Sequence, residues 1–275
     1  MQELLSLKKI SIIYNEDVEE SYNIAVKIKT AFTQYNLKAS VTSSFNYDNA
    51  ADFAITVGGD GSLLKAARFY APLNTPLLGV NMGRLGFLAQ SNPEEISSLV
   101  EKIVNSKYKI QNRMMLSALN NKVNALNDIV VKGDSFSRTA KLYLSINNKV
   151  VCEYLADGII VATPTGSTAY TLSAGGPVIV PEIDAIVIVP ICPHTLTARP
   201  LVIPADESVK IFSCESCNKM RLSADGQSTI DIENNNHIEI KKSLVSAKLV
   251  ILEKEDNEFY SILRKKLQWG VSPIE

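Results

Sequence analysis

One glycine-rich turn constrains this chain more than any other feature, because an apolar β-branched run leads directly into it. The run Ala54–Val57 ends at Gly58-Gly59-Asp60-Gly61. Residues without Cβ let backbone N–H groups approach a ligand, and the start of a following helix carries partial positive charge. A helical pattern begins at Ser62, a good N-cap residue. The stretch therefore predicts a strand, a phosphate-binding turn and a helix.

Asp60 is the unusual member of this turn, since a carboxylate repels phosphates unless it takes up a proton or faces a metal. A phosphate loop with its own base indicates phosphoryl transfer to a hydroxyl group. The same residues also suit a tight strand-to-helix turn with a solvated aspartate. A motif this short leaves both interpretations open.

Length and composition limit the class of protein. The chain has 275 residues, enough for two domains of ordinary size, and its 46% hydrophobic and 21% charged residues are typical of globular proteins. A formal net charge of −1 gives no general attraction to nucleic acid or to membrane surfaces. The sequence contains no apolar run long enough to predict a membrane span. Its N-terminal charges follow the apolar residues, whereas those of a signal peptide precede them. We therefore expect a cytoplasmic protein that binds neither nucleic acid nor membrane.

The four cysteines are too few for a disulfide framework. Cys214 and Cys217 have the C-x-x-C spacing of zinc and redox sites, but only His194 and His237 are available as histidine ligands. A structural role for the cysteines is favoured, and we assign no metal-ligating side chain. His194 has no nucleophile near it in sequence and receives no role.

Strand and helix patterns alternate over the first hundred residues. This alternation predicts an α/β layer with a parallel sheet, whose ligands bind beyond the carboxyl ends of the strands. The predicted strands are Lys8–Tyr14, a short stretch from Val41, Phe53–Val57 and Pro76–Asn81, and the predicted helices are Glu16–Tyr35, Ser62–Phe69 and Pro93–Val104.

The pattern changes near Tyr108, beyond which short alternating strands predict an all-β domain. Hairpins are expected around Asn147-Asn148 and around Asn234-Asn235-Asn236, and a last strand over Ala247–Leu252. Phe259–Trp269 has helical spacing and could return to the first domain. The predicted domains are residues 1–106 with 255–275, and residues 107–254.

A second informative stretch, Asp157–Tyr170, begins as a buried strand and continues into a loop rich in hydroxyl groups. Its hydroxyl groups suit hydrogen bonds to a ribose or a phosphate, and Tyr170 offers an aromatic platform for a base. Hydroxyls also cap turns and helices, but their density here favours a binding function.

Four other places are weaker signals, because each has an ordinary structural interpretation. Asn127-Asp128 and Asp225-Gly226-Gln227 are typical of turns. Lys65 and Arg138 could meet a phosphate, or could be solvated surface cations.

Together these segments resemble the NAD kinase family, which phosphorylates the 2′-hydroxyl of the adenosine ribose of NAD. The Gly-Gly-Asp-Gly turn alone is shared with 6-phosphofructokinases and diacylglycerol-type lipid kinases, whereas Thr-Pro-Thr-Gly-Ser-Thr-Ala-Tyr is much more specific to NAD kinases. The similarity runs in order through 58–61, 81–87, 127–128, 157–170, 173–177, 193–200 and 225–227.

The resemblance implies a Rossmann-like α/β N-terminal domain of the phosphofructokinase and diacylglycerol-kinase kind, a β-sandwich-like C-terminal domain, and a site between them. Asp60 would be the general base, with Gly58, Gly59, Gly61 and Ser62 forming the phosphate-donor loop. The residues it implies for NAD binding are Asp60, Gly61, Lys65, Asn127, Asp128, Arg138, Asp157, Thr168, Ala169, Tyr170, Ser173 and Gln227. Many family members have Glu in place of Asp128, and the aspartate is one methylene shorter in its reach toward a ribose. Many also have Thr in place of Ser62.

The resemblance also implies partners. The phosphate donor would be ATP or another phosphate donor, with a divalent ion such as Mg²⁺ neutralising its charge. A homodimer or homotetramer is expected, with part of the NAD site completed by a neighbouring subunit. Two other functions remain open from the residues alone: a kinase for a lipid or a sugar phosphate, and a non-catalytic NAD-binding module.

Overall fold

A computed structural model of the chain describes residues 7–44, 46–83, 86–89, 91–133, 139–213, 220–232, 237–252 and 259–268. Its helices are α1 Glu19–Thr33, α2 Asp60–Tyr70, α3 Ile96–Val104, α4 Tyr170–Ser173 and α5 Phe259–Leu267. Its strands are β1 Lys9–Tyr14, β2 Lys38–Ser43, β3 Phe53–Gly58, β4 Leu77–Asn81, β5 Tyr108–Ala118, β6 Val123–Ala125, β7 Asp128–Gly133, β8 Ala140–Ile146, β9 Lys149–Ala156, β10 Gly158–Ala162, β11 Ala185–Ile191, β12 Leu201–Pro204, β13 Val209–Ser213, β14 Met220–Ala224, β15 Ser228–Ile232 and β16 His237–Leu252.

The chain divides into two compact units. The first comprises Met1–Asn112 and Ala247–Glu275, and the second comprises Arg113–Ser246. The long strand β16 therefore contributes its first ten residues to the second unit and its last six to the first.

The first unit contains a parallel sheet with the strand order β2-β1-β3-β4-β16. In its register, Ile12 of β1 lies beside Val41 of β2 and Ile55 of β3. The alternation of strands and helices along the sequence produces this sheet, because parallel neighbours need a crossover connection. The predicted α/β fold is confirmed.

The first unit has helices on both faces of its sheet. Ile10, Ile12 and Ile55 are fully buried in one cluster with residues of α1 and α3. Side chains alternate between the faces of a strand, so the intervening residues point the other way, where Leu63 of α2 meets Gly79. Within the described residues, no helix is long and apolar enough to cross a membrane.

The second unit consists mainly of antiparallel strands. One six-stranded sheet has the order β12-β11-β10-β7-β14-β15. The strands β16, β13, β8 and β9 follow one another in the other sheet, which is ten-stranded and also contains β2, β1, β3 and β4. Apolar residues of the two sheets form a single core that includes Ile129, Ile159 and Leu144. The other face of β10 and β11 is covered by a smaller cluster that contains Ile160 and Ile179. Burial on both faces explains the continuous apolar runs of β10 and β11, and the all-β prediction is confirmed.

Several predicted elements differ from the structure. Helix α2 begins at Asp60 with Gly59 as its N-cap, so Ser62 lies in the first turn and is not the cap. The second predicted hairpin is wrong, because β15 pairs with β14 and β16 pairs with β13. The two strands predicted over Ile238–Ile240 and Ala247–Leu252 are both parts of β16. The segment from Pro93 starts as a short 3₁₀ turn, and α3 begins at Ile96.

Candidate active site

The predicted phosphate-donor loop lies at the carboxyl end of β3, where that strand meets α2. The N–H groups of Ser62 and Leu63 donate hydrogen bonds to the carbonyl of Gly59, at 3.0 and 3.3 Å, and close the first turn of the helix. Gly59 and Gly61 are both exposed. The loop thus presents backbone without side chains at the positive end of an eleven-residue helix, a geometry that suits an anion.

The Asp60 carboxylate is held by the loop that follows β4. Its Oδ2 accepts the N–H of Phe87 at 2.8 Å, and its Oδ1 accepts the N–H of Leu88 at 3.3 Å. Gly86 lies so close that a Cβ there would be 2.0 Å from Oδ1. The segment 81–87 belongs to the resemblance, but the sequence analysis assigned it no role. Two backbone donors and a close glycine fix the direction in which the carboxylate points.

In the second unit, Asn127 and Asp128 lie beside the turn between β14 and β15. Asp225 accepts hydrogen bonds from three successive backbone N–H groups, those of Leu126, Asn127 and Asp128, at 3.1, 2.7 and 3.3 Å. The backbone of Asp225 has a φ of +51°, which Asp adopts more readily than most residues. These hydrogen bonds therefore join the motifs Asn127-Asp128 and Asp225-Gly226-Gln227, which are almost a hundred residues apart in the sequence. Asp225 was not among the predicted site residues.

The Asp128 carboxyl is buried, and no described residue forms a hydrogen bond with it. Burial raises the pKa of Asp128 to about 7, and the neighbouring Asp225 carboxylate adds to the rise. The Asn127 side-chain amide is half-buried and is likewise without a hydrogen-bond partner among the described residues. Both polar groups are available to a ligand.

The hydroxyl-rich loop begins beside the same two residues. Thr163 Oγ1 donates to the carbonyl of Leu126 at 2.6 Å and accepts the N–H of Gly166 at 3.0 Å. Gly166 packs against backbone, since a Cβ there would be 2.0 Å from the carbonyl oxygen of Asn127. Close packing of backbone on backbone requires glycine at this position.

A buried arginine anchors the middle of this loop. The Arg113 guanidinium donates to Thr165 Oγ1 at 3.2 Å, and its charge interacts favourably with Glu182. Burial lowers the pKa of Arg113 to about 10, at which it stays cationic at neutral pH. Arg113 lies 50 residues before the loop and was not predicted as a site residue, because no motif surrounds it in the sequence.

Tyr170 and Asp157 lie toward the other end of β10. The Tyr170 ring is 39% exposed, and the Lys132 ammonium stands 5.6 Å from its centroid. Gly158, next to Asp157, pairs with Lys132, whereas Ala162 pairs with Asp128. At about 3.4 Å per residue, the five residues from exposed Asp157 to Ala162 place Asp157 roughly 17 Å from Asp128 along the strand. The structure does not bring Asp157 beside Asn127 and Asp128 within one chain.

The remaining predicted residues are placed as follows. Lys65 is half-buried on α2, and Thr168 Oγ1 donates to the carbonyl of Thr165 at 3.3 Å. The Ala169 N–H donates to the carbonyl of Gly166, and Ser173 and Gln227 are exposed. Arg138, Cys214 and Cys217 lie outside the described residues, while Cys152 and Cys192 are free thiols and His194 is exposed.

The described part of the chain contains no cluster of three or more His, Cys, Asp or Glu side chains that could hold a metal ion. Mg²⁺ is usually bound largely through substrate phosphates with only one or two carboxylates, so the phosphates of a bound donor would supply most of its ligands here.

Comparison with known proteins identifies the family. The sequence model of the ATP-NAD kinase N-terminal domain matches residues 1–108, and that of the ATP-NAD kinase C-terminal domain matches residues 126–252. The NAD kinase of Caldanaerobacter subterraneus subsp. tengcongensis is 38% identical over 282 aligned positions, which cover 95% of this chain and 99% of the relative. This chain belongs to the NAD kinase family.

A second relative and two solved structures are also similar to this chain. The NAD kinase of Moorella thermoacetica is 41% identical over 81% of this chain and 73% of its own. The solved structure of an NAD kinase from Archaeoglobus fulgidus in complex with ATP matches with a TM-score of 0.78 and 25% identity, covering 93% of this chain and 98% of that one. Yeast NADH kinase, solved in complex with NADH, matches in fold with a TM-score of 0.84, at 24% identity over 97% of this chain and 89% of that one.

Proposed function

We propose that this protein transfers a phosphoryl group from ATP or another phosphate donor to the 2′-hydroxyl of the adenosine ribose of NAD and so forms NADP. The observation that carries the proposal is the Asp60 carboxylate, fixed by the N–H groups of Phe87 and Leu88 at the start of a phosphate-type turn. The 38% identity to an NAD kinase, over 95% of this chain and 99% of the relative, supports the choice of substrate. In this proposal, Asp60 accepts the proton of the ribose hydroxyl as its oxygen attacks the phosphorus.

The donor side of the reaction is assigned to Gly58, Gly59, Gly61 and Ser62. Their backbone lies at a helix start, which stabilises phosphate charge, and Lys65 follows one turn later. When bound with the phosphate donor, Mg²⁺ would neutralise further phosphate charge. The protein's own contribution is then mainly to orient the reacting groups, which accounts for large rate gains in phosphoryl transfer.

The acceptor side is assigned to the second unit. The Asn127 amide and the Asp128 carboxyl suit the hydroxyls of a ribose, and Tyr170 suits a base. Thr168, Ala169, Ser173 and Gln227 complete this group, and Asp157 is its more distant member. Arg138 belongs to the proposed set through the family resemblance alone.

NADP formation tests the proposal directly. Purified protein is incubated with NAD, magnesium and either ATP or polyphosphate, and NADP is measured with an NADP-specific dehydrogenase. Formation with either donor supports the proposal and identifies the donor, and omission of magnesium tests the metal. A lipid or sugar kinase would phosphorylate its own acceptor instead, and a binding module would bind NAD without turnover. No NADP with any donor refutes the proposal.

The role of Asp60 is tested by the D60N variant. Loss of a general base typically costs about 10²–10⁴ in rate, so kcat should fall by that factor while the KM for NAD changes by only a few-fold. D52N is a matched control, because the Asp52 carboxylate also accepts two backbone N–H groups, those of Lys8 and Lys9. D52N should lower stability and leave kcat unchanged. An unchanged kcat in D60N would contradict the assignment.

We also propose that the protein is a homo-oligomer. β9 is the last strand of its sheet within the described residues, and it exposes Val150, Val151 and Leu155. Clustered exposed apolar side chains mark interaction surfaces. A neighbouring copy could also supply the distant Asp157. Light scattering that shows a monomer at assay concentrations would refute this. The cytoplasm, where NAD and ATP are both abundant, is the proposed location.

A further inference from the structure

Three consecutive residues, Leu126, Asn127 and Asp128, have an unusual backbone environment. Their three N–H groups all donate to the Asp225 carboxylate, at 3.1, 2.7 and 3.3 Å. The carbonyl of Leu126 accepts from Thr163 Oγ1 at 2.6 Å, and that of Asn127 accepts the N–H of Thr163 at 2.8 Å. The carbonyl of Asp128 accepts the N–H of Asp225 at 2.9 Å. Two residues therefore satisfy all six backbone polar groups of the segment.

This arrangement is buried and leaves little room for adjustment. Thr163 is fully buried and Asp225 is 9% exposed. Gly166, whose N–H donates to Thr163 Oγ1, packs directly on the carbonyl of Asn127. A buried backbone group that loses its partner costs more than the bond itself contributes, so the segment has one strongly preferred conformation.

The side chains of the same segment are in the opposite situation. The Asn127 amide and the Asp128 carboxyl form no hydrogen bonds with the described residues, and both belong to the proposed acceptor side. Since their own bonds do not orient them, their direction follows from the backbone that carries them. Such a division, with fixed backbone and unbonded side chains, is typical of a preorganised binding site.

We propose that Thr163 and Asp225 are positioning residues, which hold Asn127 and Asp128 in the orientation that binds NAD. This inference rests on the proposed function for the identity of the ligand. Thr163 acts through its hydroxyl and its N–H, and Asp225 through a carboxylate that bridges three amides. Neither side chain needs to touch NAD, so their loss should weaken NAD binding more than it slows the chemical step.

The T163V variant tests the role of the hydroxyl, because valine keeps the shape and removes the donor and acceptor. It should raise the KM and the Kd for NAD about tenfold or more, with the KM for ATP nearly unchanged. T163S restores the hydroxyl and should return both constants to within about threefold of the natural chain. Calorimetric titration with NAD and steady-state kinetics provide the two readouts.

T75V is a matched control. Thr75 is also a buried threonine, its Oγ1 donates to the carbonyl of Ala51 at 3.1 Å, and it lies in the first unit. The loss of a similar hydrogen bond there should lower the melting temperature and leave the KM for NAD unchanged. If T163V and T75V lose similar stability and T163V keeps the natural KM and Kd for NAD, Thr163 is only structural and the proposal is overturned.

Asp225 is tested by D225N, which keeps a residue type that tolerates positive φ. Asparagine has one acceptor oxygen, so its NH₂ group would face one of the three N–H donors. We expect a Kd for NAD raised about tenfold or more, and natural affinity in a folded D225N would overturn the role of Asp225.

The proposal can still be tested if the T163V variant does not fold. If T163V does not fold, T163S and D225N still decide, because the proposal requires weaker NAD binding in D225N and near-natural binding in T163S. If the natural protein makes no NADP, the proposed function fails, and the Kd values for NAD then test the positioning role by themselves.

Discussion

Substitution of Gly86 by alanine should damage catalysis through a single contact. The Asp60 carboxylate stands where the new Cβ would be, with Cγ at 2.7 Å and the two oxygens at 2.0 and 2.9 Å. The Asp60 carboxylate also accepts hydrogen bonds from the N–H groups of Phe87 and Leu88, the two residues that follow Gly86 in the same loop. The methyl group and the carboxylate cannot both keep their places.

The size of the effect follows from these distances. Carbon atoms in optimal contact are about 3.5–4.0 Å apart, so the Asp60 carboxylate must withdraw by about 1 Å. A misplacement of about 1 Å can cost on the order of 10²-fold in rate. We therefore expect kcat of G86A to fall roughly 100-fold, equivalent to about 2.7 kcal/mol in the activation free energy. The KM for NAD should change little, because the substitution leaves the proposed acceptor residues untouched.

The assay is NADP formation at saturating ATP and NAD, with a thermal melt of each variant. G83A is the matched control, since a Cβ on Gly83, in the same loop, meets no atom within 4 Å. G83A should keep the natural kcat. A G86A enzyme with natural kcat would refute the argument that this contact fixes Asp60. Equal losses in both variants would show that the loop needs glycine for another reason.

Two further predictions concern the second unit. The D128N substitution replaces the buried Asp128 carboxyl with an amide that does not titrate. The pKa of this carboxyl in the folded chain is about 7, above its ordinary value of 3.8. The natural chain loses stability as the pH rises from about 4 through 7. The free energy of unfolding of D128N should therefore rise relative to that of the natural chain by about 2–3 kcal/mol between pH 5 and pH 8, measured by urea unfolding at both values. No change in the difference with pH would contradict the buried carboxyl. G166A should lower the free energy of unfolding by about 1–3 kcal/mol or more, because its Cβ meets the Asn127 backbone, whereas G83A should not.

Much of the first unit could be predicted because its signals are local. Buried parallel strands such as Phe53–Gly58 are continuous apolar runs, and α1 shows the spacing of a one-sided helix. The hairpin at Asn147 and Asn148 was also correct, since both residues adopt positive φ, at +49° and +64°, which asparagine tolerates.

The errors arise where pairing is not local. Strands β15 and β16 follow each other in the sequence with similar alternation, yet they belong to different sheets. Alternation shows which residues face inward, but not which strand is the neighbour. The predicted role of Ser62 as N-cap was wrong for a local reason. Glycine also serves as an N-cap, so Gly59 takes this position and the helix starts at Asp60, two residues before Ser62.

The site could be predicted only in part for the same physical reason. Motif residues such as Asp60 and Asn127 were found because their types indicate chemistry. Their supports, Thr163, Asp225 and the N–H groups of Phe87 and Leu88, act through backbone hydrogen bonds. Backbone groups are the same in every sequence, so these contacts become visible only in the folded chain.

The strand β16 has a consequence for synthesis of the protein. Leu249 of β16 pairs with Leu77 of β4, so β4 gains this neighbouring strand only after the ribosome has made the intervening part of the chain. All of residues 113–246 emerge in between, which takes on the order of ten seconds at typical elongation rates. During that interval the edge of β4 is a nascent, unpaired strand. The second unit can finish folding before the first, which reverses the usual order of folding from the N-terminus.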